Sequence, residues 1–427
     1  LTGLANRGHF RTQAQLLLDG KQKQDLHAAV ILLDIDSFRS ATGLLGDRIG
    51  DEILKTLSSR MVNSSRGGLY ARIGDDDFAI FQPNVYDPLV VQQGAVAFRK
   101  ELQAGLDVCG QCVSIDVSIG YALYPNDGED IETLMANAQL ALRAAKKSGS
   151  GIHAFQRQLR TAVEQRKEME TDIRRAVDAD EFELFYQPQI DLSTDRIIGA
   201  EALLRWRHPE HGLLTPGHFL STLESMPLSV QVGEKSVLSA IAQADLWRRQ
   251  GTPIRVSVNL FASQFLSDHL VEAIGEQLAS HELPPELLEI ELTETVAIDS
   301  GKRVINTLQR LSDMGVCIAL DDFGTGHASL TALKTIPVQR LKIDREFVTG
   351  APVSDEDAAV VEAVILLGKR LGFAITAEGV EKAEEESWLR HAGCFEVQGY
   401  RYGRPMPAAE LTARLANGSP PPLKIAL

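Results

Sequence analysis

The sequence predicts an α/β protein of two domains, in which an α/β domain precedes a closed barrel of alternating strands and helices. Its 427 residues exceed the length of one ordinary domain, and a hydrophobic content of 44% is enough to bury two cores. The first third mixes strand-like and helix-like segments. From about residue 181, short β-branched runs alternate with helical stretches, which is typical of a β/α barrel.

The first predicted domain covers residues 1–156 and contains strand-like segments followed by a helix. AAVILLDI has the composition of a buried strand, LYARIGDDDFAIF that of a tight hairpin, and VSIDVSIGYAL that of a further strand. IETLMANAQLALRAAKK has the apolar spacing of an amphipathic helix. Together these elements indicate one α/β domain.

A connecting helix is predicted over residues 157–180, where charge is dense and apolar residues such as Leu159 and Val163 are four positions apart. The barrel domain then covers residues 181–418. The proline-rich end at 419–427 predicts a flexible tail.

Seven runs in the barrel domain have the composition of buried strands, and polar residues lie at their ends. These runs are RIIGAEAL, IRVSVNL, LLEIELTE, VCIALDDFG, VQRLKID, FAITAEGV and CFEVQGY. A β/α barrel collects its functional residues at the carboxyl ends of its strands. We therefore expect the polar side chains of these runs to converge at the mouth of the barrel.

Composition excludes several classes of protein. A net charge of −15 and a pI near 5.2 argue against a nucleic-acid-binding face. The apolar stretch AAVVEAVILLGKRLGFAI is interrupted by Glu362, Lys369 and Arg370, so no membrane span is predicted. The chain opens at Leu1 rather than at Met, and we expect an excerpt of a longer protein with an upstream sensor or membrane segment, this part being cytoplasmic.

The four cysteines do not form a disulfide framework at this chain length, which fits a reducing compartment. Cys109 and Cys112 form a lone CxxC. Without a second pair nearby, we interpret them as an incidental loop pair rather than as a zinc or redox site.

The polar strand ends of the barrel predict a metal centre. Five carboxylates and one amide brought together would repel unless cations neutralised them, and oxygen ligands suit Mg²⁺ or Mn²⁺. Adjacent Asp321 and Asp322 would allow one carboxylate to bridge two ions, the arrangement used for displacement at a phosphodiester. The candidate ligands are Glu201, Asn259, Glu291, Asp321, Asp322 and Glu378.

Lys342 is the candidate cation that orients the attacking water or stabilises developing negative charge. Any one of the acids alone would be interpreted as a surface residue, but six polar residues at barrel-like intervals favour a shared site. Asp322 is followed by Phe323, Gly324, Thr325 and Gly326, whose glycines permit a loop to close over the ions.

These motifs identify the second half as similar to the EAL domain family of cyclic di-GMP phosphodiesterases. The similarity extends over residues 170–415 through YQPQI, EALLRW, VSVNL, ELTET, ALDDFGTG, LKIDREFV, AEGVE and QGYRYGRP. It implies that Glu201, Lys342 and Glu378 are catalytic. It also implies that one metal is bound by Glu201, Asn259, Glu291 and Asp321, and that the second is bound by Asp321, Asp322 and Glu378.

The same resemblance implies supporting roles for five further residues. Arg205 matches the family's contact to the substrate phosphate, and Glu294 the acid that anchors the loop after the paired aspartates. Asp344 and Gln398 match positions near the ligands or the water, and Glu381 belongs to the AEGVE motif without a defined role. Two residues depart from the family in the loop after DFGTG, namely His327 and Ala328.

The first half resembles the GGDEF domain of diguanylate cyclases, with RIGDDDF at the position of the signature motif. Asp75 replaces the second glycine, so a side chain and a negative charge oppose placement of a triphosphate. Asp76 matches a metal-binding acid that could pair with Asp34, and Asp77 replaces the following glutamate. Asp34 and Asp36 both belong to the segment ILLDIDSF.

Other substitutions in this half agree with a lost cyclase activity. Thr42 and Gly43 stand where the family has an asparagine and an aspartate, and Ser150 stands where it has an arginine. Asp51 and Lys146 are retained. The inhibitory product site is predicted to be absent, because its arginine and aspartate are replaced by Ser65 and Gly68.

The sequence therefore predicts an enzyme that hydrolyses cyclic di-GMP to linear pGpG with two Mg²⁺ or Mn²⁺ ions. The alternative is a receptor that binds cyclic di-GMP without cutting it. For the first half, a regulatory domain that binds GTP with Mg²⁺ and a purely structural domain both stay open. The resemblance also implies a homodimer.

Overall fold

The structure is a computed structural model that describes residues 1–20, 26–38, 42, 46–64, 67–103, 105–108, 111–267, 269–293, 296, 301–324 and 332–417. The chain divides into two compact units, Leu1–Lys167 and Glu168–Leu427. Each unit has its own apolar core.

The first unit is built on a five-stranded sheet in the order β2-β3-β1-β6-β7. β1 pairs antiparallel with both β3 and β6, and β6 pairs parallel with β7. A separate antiparallel pair is formed by β4 and β5. The strands are β1 (Ala28–Ile35), β2 (Leu69–Arg72), β3 (Asp77–Pro83), β4 (Leu106–Val108), β5 (Gln111–Val113), β6 (Val117–Tyr124) and β7 (Ile152–Ala154).

Helices pack on both faces of this sheet because its strands bury side chains on both sides. Val30 and Leu32 of β1 belong to one apolar cluster, and Leu33 and Ile35 to the other. The structure confirms three predictions from the sequence, namely the strand AAVILLDI, the hairpin β2–β3 and the helix after β6. The helices are α1 (Arg7–Leu18), α2 (Asp47–Ser64), α3 (Pro88–Gln103) and α4 (Ile131–Ser148).

Capping residues define the ends of α4. The side chain of Asp130 accepts a hydrogen bond from the backbone N–H of Thr133 at 2.8 Å. Gly149 follows the helix with a φ of 65°, the left-handed conformation that glycine adopts without strain. The next helix, α5 (Arg157–Asp178), covers most of the segment predicted as a connecting helix and contains the boundary between the two units.

The second unit is a closed barrel of eight strands in the order β9-β11-β12-β13-β14-β15-β16-β8, and the pairing of β8 with β9 closes it. Six of its strands pair in parallel with β9 or with one another. Two short strands, β10 and β17, extend the sheet. The strands are β8 (Phe182–Asp191), β9 (Arg196–His208), β10 (Gly212–Leu214), β11 (Arg255–Asn259), β12 (Leu288–Thr293), β13 (Cys317–Phe323), β14 (Arg340–Ile343), β15 (Ala374–Ala377), β16 (Glu396–Gln398) and β17 (Met406–Pro407).

β8 differs from the other barrel strands because it runs antiparallel to both β9 and β16. Only four residues, 192–195, separate β8 from β9. A connection this short can join antiparallel strands, whereas parallel strands need a long crossover. The seven strand runs predicted from the sequence are therefore the parallel ones, and the eighth strand contains the YQPQI motif.

The helices of the second unit cover the outside of the barrel, and the apolar core lies between them and the strands. Apolar side chains such as Val258, Ile290 and Leu341 belong to this core. The helices are α6 (Pro216–Glu224), α7 (Leu228–Arg249), α8 (Leu270–His281), α9 (Gly301–Asp313), α10 (Ala332–Thr335), α11 (Arg345–Gly350), α12 (Asp355–Leu371), α13 (Ala383–Ala392) and α14 (Ala408–Ala416).

Alternation along the strands leaves the inside of the barrel polar. Successive side chains of a strand point to opposite faces, so the neighbours of outward apolar residues point inward. Glu289 and Glu291 alternate with Ile290 and Leu292 on β12. The barrel interior therefore holds layers of polar side chains.

The layer below the mouth is a network of charged residues. Arg340 Nε lies 2.7 Å from Glu289 Oε2, and Arg340 also contacts Glu396. Arg255 Nη2 lies 2.9 Å from Gln189 Oε1 and 3.2 Å from Glu396 Oε2. These opposite charges are paired in a place that is largely withdrawn from water.

In the part of the chain that the structure describes, each helix is too short or too polar to cross a membrane.

Candidate active site

The carboxyl ends of the parallel barrel strands bring the predicted site residues together. β9 and β11 carry Glu201 and Asn259, β12 carries Glu291, and β13 carries Asp321 and Asp322. Lys342 comes from β14, Glu378 follows β15, and Gln398 ends β16.

Lys342 lies at the centre of this group and is fully buried. Its Nζ atom is 2.6 Å from Glu378 Oε1, 2.8 Å from Glu291 Oε2 and 3.2 Å from Asp321 Oδ1. Glu201 Oε2 is farther away, at 3.9 Å. Four carboxylates therefore face one ammonium group, which we call the Lys342 centre.

Burial and charge oppose each other at this centre. Burial lowers the pKa of Lys342, but the charges of Asp321, Glu201, Glu291 and Glu378 raise it well above its usual value. Burial raises the pKa of Glu291 well above its usual value, although Lys342 lowers it. Burial likewise raises the pKa of Glu378 to about 8, against the opposing effect of Lys342. The single positive charge of Lys342 therefore does not balance the negative charges of the four carboxylates around it.

The paired aspartates lie near the end of β13, where the register with β14 shifts between Leu320 and Phe323. Asp322 has a φ of 54°, in the left-handed region that residues other than glycine rarely adopt. Burial raises its pKa to about 6, with the charge of Asp321 and a hydrogen bond with Asp344 acting in the same direction. Asp344 itself caps α11 by accepting from the backbone N–H of Glu346 at 2.7 Å.

Two amides hold the carboxylate of Glu201. Asn259 Nδ2 donates to Glu201 Oε1 at 2.9 Å and to Glu291 Oε2 at 3.1 Å. Gln398 Nε2 donates to Glu201 Oε2 at 2.5 Å and to Gln187 Oε1 at 3.0 Å. Both oxygens of Glu201 are therefore positioned by side chains from other strands.

The residues present fit one or two hard divalent cations. Carboxylate oxygens of Asp321, Asp322 and Glu378 lie within 4.8 Å of one another. Among the described residues, Glu291 Oε1 is buried without a hydrogen-bond partner, which is costly unless a cation or water takes that place. All the candidate metal ligands offer oxygen atoms, provided that the Asn259 side chain turns its amide oxygen towards the carboxylates. Oxygen is the ligand atom that Mg²⁺ and Mn²⁺ prefer.

A cavity of about 530 Å³ opens from this group of ligands. Asn259, Asp321 and Asp322 line one part of it, and residues of α6 and α7 line another. Its volume lies within the range of small-molecule sites. The ligands are thus accessible to a substrate.

Arg205 is held separately on β9. Its Nη1 donates to the backbone oxygen of Leu204 at 2.8 Å, and its guanidinium carbon is 5.7 Å from the centre of the Phe185 ring. Burial lowers the pKa of Arg205, while Tyr400 and Glu201 raise it. Arginine stays protonated under such shifts, so this position offers a fixed positive charge.

Other predicted residues are placed differently. Glu381 is partly exposed, and its carboxylate lies 3.7 Å from Arg345 Nη1, outside the Lys342 centre. Glu294, His327 and Ala328 lie outside the described residues, as does Cys109.

The first unit has an acidic group of its own. Carboxylate oxygens of Asp34, Asp76 and Asp77 lie within 4.8 Å of one another. Lys146 Nζ pairs with Asp34 Oδ1 at 2.5 Å. Burial raises the pKa of Asp34, while Lys146 lowers it. The sequence prediction paired Asp34 with Asp76, and the structure adds Asp77.

The structure also describes several positions at which the first unit departs from the GGDEF family. Asp75 is exposed, and its backbone oxygen accepts a hydrogen bond from Arg72 Nη2 at 2.5 Å. A Cβ on Gly74 would lie 2.6 Å from Asp77 Oδ2, so a side chain at position 74 would displace the Asp77 carboxylate. The Ser150 hydroxyl bonds within its own turn, to Ile152 O at 3.2 Å. Asp36 accepts from Ser118 at 2.8 Å.

Of the other altered or retained positions, Asp51 is exposed on α2, and Thr42 and Gly68 lie among the described residues. Gly43 and Ser65 lie outside them.

The sequence analysis did not predict the polar side chains that lie below the candidate metal ligands inside the barrel. Gln187 and Gln189 of β8 contact Gln398, and Glu289 and Arg340 lie two residues before Glu291 and Lys342. The available signal was the period of two along each strand, which places residues i and i−2 on the same face.

The fold and the acidic centre together define a two-unit signalling protein of the GGDEF–EAL class. The chain belongs to the EAL domain family, whose model matches residues 170–405. The model of the diguanylate cyclase GGDEF domain matches residues 1–151.

Characterised relatives share this arrangement. The bifunctional diguanylate cyclase/cyclic di-GMP phosphodiesterase MucR of Pseudomonas aeruginosa is 36% identical over 97% of this chain and 61% of its own length. The cyclic di-GMP phosphodiesterase NbdA of the same organism is 35% identical over 96% of this chain and 53% of its own. The chain thus spans between half and two thirds of these relatives.

A solved structure agrees with the barrel. The PaMucR phosphodiesterase in its c-di-GMP complex is 42% identical, with a TM-score of 0.55, and the match covers 57% of this chain and 99% of that one.

Proposed function

We propose that the second unit hydrolyses cyclic di-GMP to linear pGpG. The observation that carries this proposal is the Lys342 centre, where four carboxylates surround one buried ammonium at the mouth of the barrel. The similarity to MucR and NbdA supports cyclic di-GMP as the substrate.

Two divalent cations, Mg²⁺ or Mn²⁺, are proposed as cofactors. Asp321 would contribute to both sites, together with Asp322 and Glu378 at one and with Glu201, Asn259 and Glu291 at the other. When bound, such ions lower the pKa of a water molecule and neutralise charge on the phosphoryl oxygens.

Lys342 is proposed to orient the attacking water. Its ammonium is fixed by ion pairs to residues of three other strands or strand ends, so it has little freedom to move. It donates hydrogen bonds but accepts none, and it can stabilise negative charge as the water loses a proton.

Arg205 is proposed to hold a phosphate oxygen of the substrate. Packing against Phe185 and the bond to Leu204 O restrict its guanidinium before substrate binds. Gln398 would act through Glu201, whose carboxylate it positions. Asp344 would act in the same way on Asp322.

The test is product analysis after incubation of the full chain with cyclic di-GMP and Mg²⁺ or Mn²⁺. We expect pGpG from the wild type and at least a roughly thousandfold lower rate from Glu201→Ala. Lys302→Met, an exposed change on α9, is the matched control and should retain full activity. Tight binding of cyclic di-GMP without product by the wild type would instead support the receptor alternative.

For the first unit we propose a domain without cyclase activity that retains a site for Mg²⁺ and GTP. Asp34, Asp76, Asp77 and Lys146 provide the acids and the cation for such a site. Exposed Asp75 adds negative charge next to it.

Two measurements separate the possibilities for the first unit. Cyclic di-GMP formation from GTP is measured in the Glu201→Ala background, where product would accumulate, and none is expected. GTP binding with Mg²⁺ is measured on the full chain, with Asp34→Asn as the variant expected to lose it. A wild type without GTP affinity would leave a purely structural domain. A homodimer and an upstream sensor remain proposals that sedimentation and the full gene product would test.

A further inference from the structure

A second cavity, of about 520 Å³, lies within the first unit between α3 and the sheet. Its floor is formed by β1, β3 and β6, through side chains such as Ile31, Ile80 and Ile119. Its described lining residues include none of the acidic group proposed to bind Mg²⁺ and GTP. The functions proposed above therefore leave this cavity without a role.

Two isoleucines in the floor are incompletely covered, although they lie on inner strands of the sheet. Ile31 and Ile80 are cross-strand neighbours on β1 and β3, and both are only partly buried. β1 is the central strand, and β3 lies beside it. Apolar surface left in contact with water costs free energy in proportion to its area. An apolar ligand lying over these two residues would remove that surface from water.

The cavity is elongated along the strands. Its lining residues on α3 run from Val90 to Glu101 and recur every three or four positions, so they form one face of the helix over about 16 Å. On the sheet, the cavity extends from Gln82 to Leu33, which pairs with Phe78 four residues before Gln82. Four strand residues span about 13 Å. A ligand that fills this space is long and narrow.

The chemistry of the lining favours an aliphatic ligand without charge. Among the described lining residues, Phe98 is the one aromatic side chain and Glu101 the one ionisable side chain. Glu101 Oε1 lies 3.4 Å from Arg60 Nη1 on α2, so its charge is already paired. Flat ring systems are held by stacking on aromatic faces, and anions are held by cationic side chains. The described lining suits neither of these ligand classes.

Two amides lie at one end of the cavity. Gln82 and Asn84 line it where β3 leads into the loop before α3. Asn84 is exposed, so this end is open to solvent. A side-chain amide both donates and accepts hydrogen bonds. A hydroxyl or carboxamide group suits this end, with an apolar chain that runs from there towards Leu33.

We propose that this cavity binds an uncharged amphiphile with an unbranched alkyl chain, such as a fatty alcohol or a fatty amide. The chain lies between α3 and the floor of Ile31 and Ile80, and the head group bonds to the amides of Gln82 and Asn84. Occupancy stabilises the packing of α3 on the sheet. The first unit is thereby a receptor for an apolar small molecule, independently of any site for Mg²⁺ and GTP.

The experiment measures hydrogen exchange of the full chain with 1-decanol, kept below its solubility limit. 1-Adamantanol carries the same head group on a compact cage, and decanoate carries the same chain length with a charged head group. Gly94→Leu is the variant that fills the cavity, because a Cβ on Gly94 would meet no described atom within 4 Å beyond the backbone of its own helix. Val96→Leu is the matched control, since it places the same side chain at an exposed position of α3 outside the lining.

We expect 1-decanol at about ten times its Kd to slow exchange about tenfold in peptides from residues 77–103, both in the wild type and in Val96→Leu. Peptides from the second unit should be unchanged. Gly94→Leu should not respond to 1-decanol, and its protection without ligand should at least equal that of the wild type, which shows that it is folded. 1-Adamantanol and decanoate should leave the exchange of the wild type unchanged at the same concentration.

Unchanged exchange in the wild type with 1-decanol would overturn the proposal, and so would an equal response in Gly94→Leu. Equal slowing by 1-adamantanol, or slowing that extends to the second unit, would show unselective apolar binding and contradict the proposed site. Equal slowing by decanoate would contradict the assignment of an uncharged head group.

Discussion

Lys342 Nζ and Glu291 Oε2 lie 2.8 Å apart, and both side chains are fully excluded from solvent. They come from strands β14 and β12, which are separated in the barrel by β13. The pair therefore ties three neighbouring strands together at the level of the ligands. It also leaves Glu291 Oε1 without a partner among the described residues.

Removal of the lysine should destabilise the second unit. Lys342→Met leaves four acids without their buried counter-charge, and breaking a buried pair costs about 3–5 kcal/mol. The second unit contains all three tryptophans, Trp206, Trp247 and Trp388. Tryptophan fluorescence, followed during denaturation in a buffer that contains a metal chelator, therefore reports on that unit. Lys302→Met should leave the midpoint unchanged, and an equally unchanged midpoint for Lys342→Met would contradict the prediction.

Divalent cations should stabilise the same unit. Mg²⁺ or Mn²⁺ would offset the excess of carboxylates around Lys342, and a ligand at about 100 times its Kd adds about 2.7 kcal/mol to the free energy of unfolding. The shift in the fluorescence midpoint with added cation measures this effect. Asp321→Asn should reduce it, because Asp321 contacts Lys342 and belongs to the acid triplet with Asp322 and Glu378. No shift in the wild type would count against a metal centre.

A pH dependence is expected from Glu386 on α13. Burial raises the pKa of Glu386, but hydrogen bonds from Arg401, Arg390 and Tyr402 lower it below its usual value. Arg401 Nε lies 2.5 Å from Glu386 Oε2, and Arg390 Nη2 lies 3.0 Å from Glu386 Oε1. A carboxyl whose pKa is lowered on folding stabilises the protein above its unfolded pKa of about 4.3.

This contribution is lost as the pH falls through the lower pKa of the folded state. Glu386→Gln should therefore make the free energy of unfolding less dependent on pH between about pH 5 and about pH 3. Fluorescence denaturation curves at several pH values measure the slope. Identical slopes for the wild type and the variant would show that Glu386 does not contribute.

Two glycines of the first unit should respond oppositely to alanine. A Cβ on Gly120 would lie 2.0 Å from the backbone nitrogen of Leu142, where α4 packs on β6, so Gly120→Ala should destabilise the unit by at least about 1–3 kcal/mol. Gly94 lies inside α3, and a Cβ there would meet no described atom within 4 Å beyond the backbone of its own helix. Gly94→Ala should therefore stabilise the unit by about 0.5–1 kcal/mol.

Hydrogen exchange of peptides from residues 1–167 measures these two changes separately from the second unit. Protection should fall in Gly120→Ala and rise or hold in Gly94→Ala. A similar loss in both variants would show that the close approach of α4 to β6 is not the cause.

The sequence predicts the parallel strands and the Lys342 centre because both follow local rules. Runs such as LLEIELTE place Glu291 at a strand end, and barrel geometry brings strand ends together. The direction of β8 could not be read from composition, since it depends on which strands it pairs with. The contact between Gln398 and Glu201 joins residues 197 positions apart and depends on the closure of the barrel.

The first unit illustrates the same limit in another way. Asp77 was likewise assigned only as a replacement, because its approach to Asp34 depends on the register of β1 with β3.

The charged layer beneath the mouth has a consequence for how this barrel can change over evolutionary time. Arg340 is buried between Glu289 and Glu396, and loss of any one of these charges would leave an opposite charge stranded away from water. Such positions are expected to be exchanged as matched sets, acid and base together or all for apolar residues. Charged residues inside the barrel would thus be replaced several at a time, whereas residues of the outer apolar shell tolerate single replacements of similar volume.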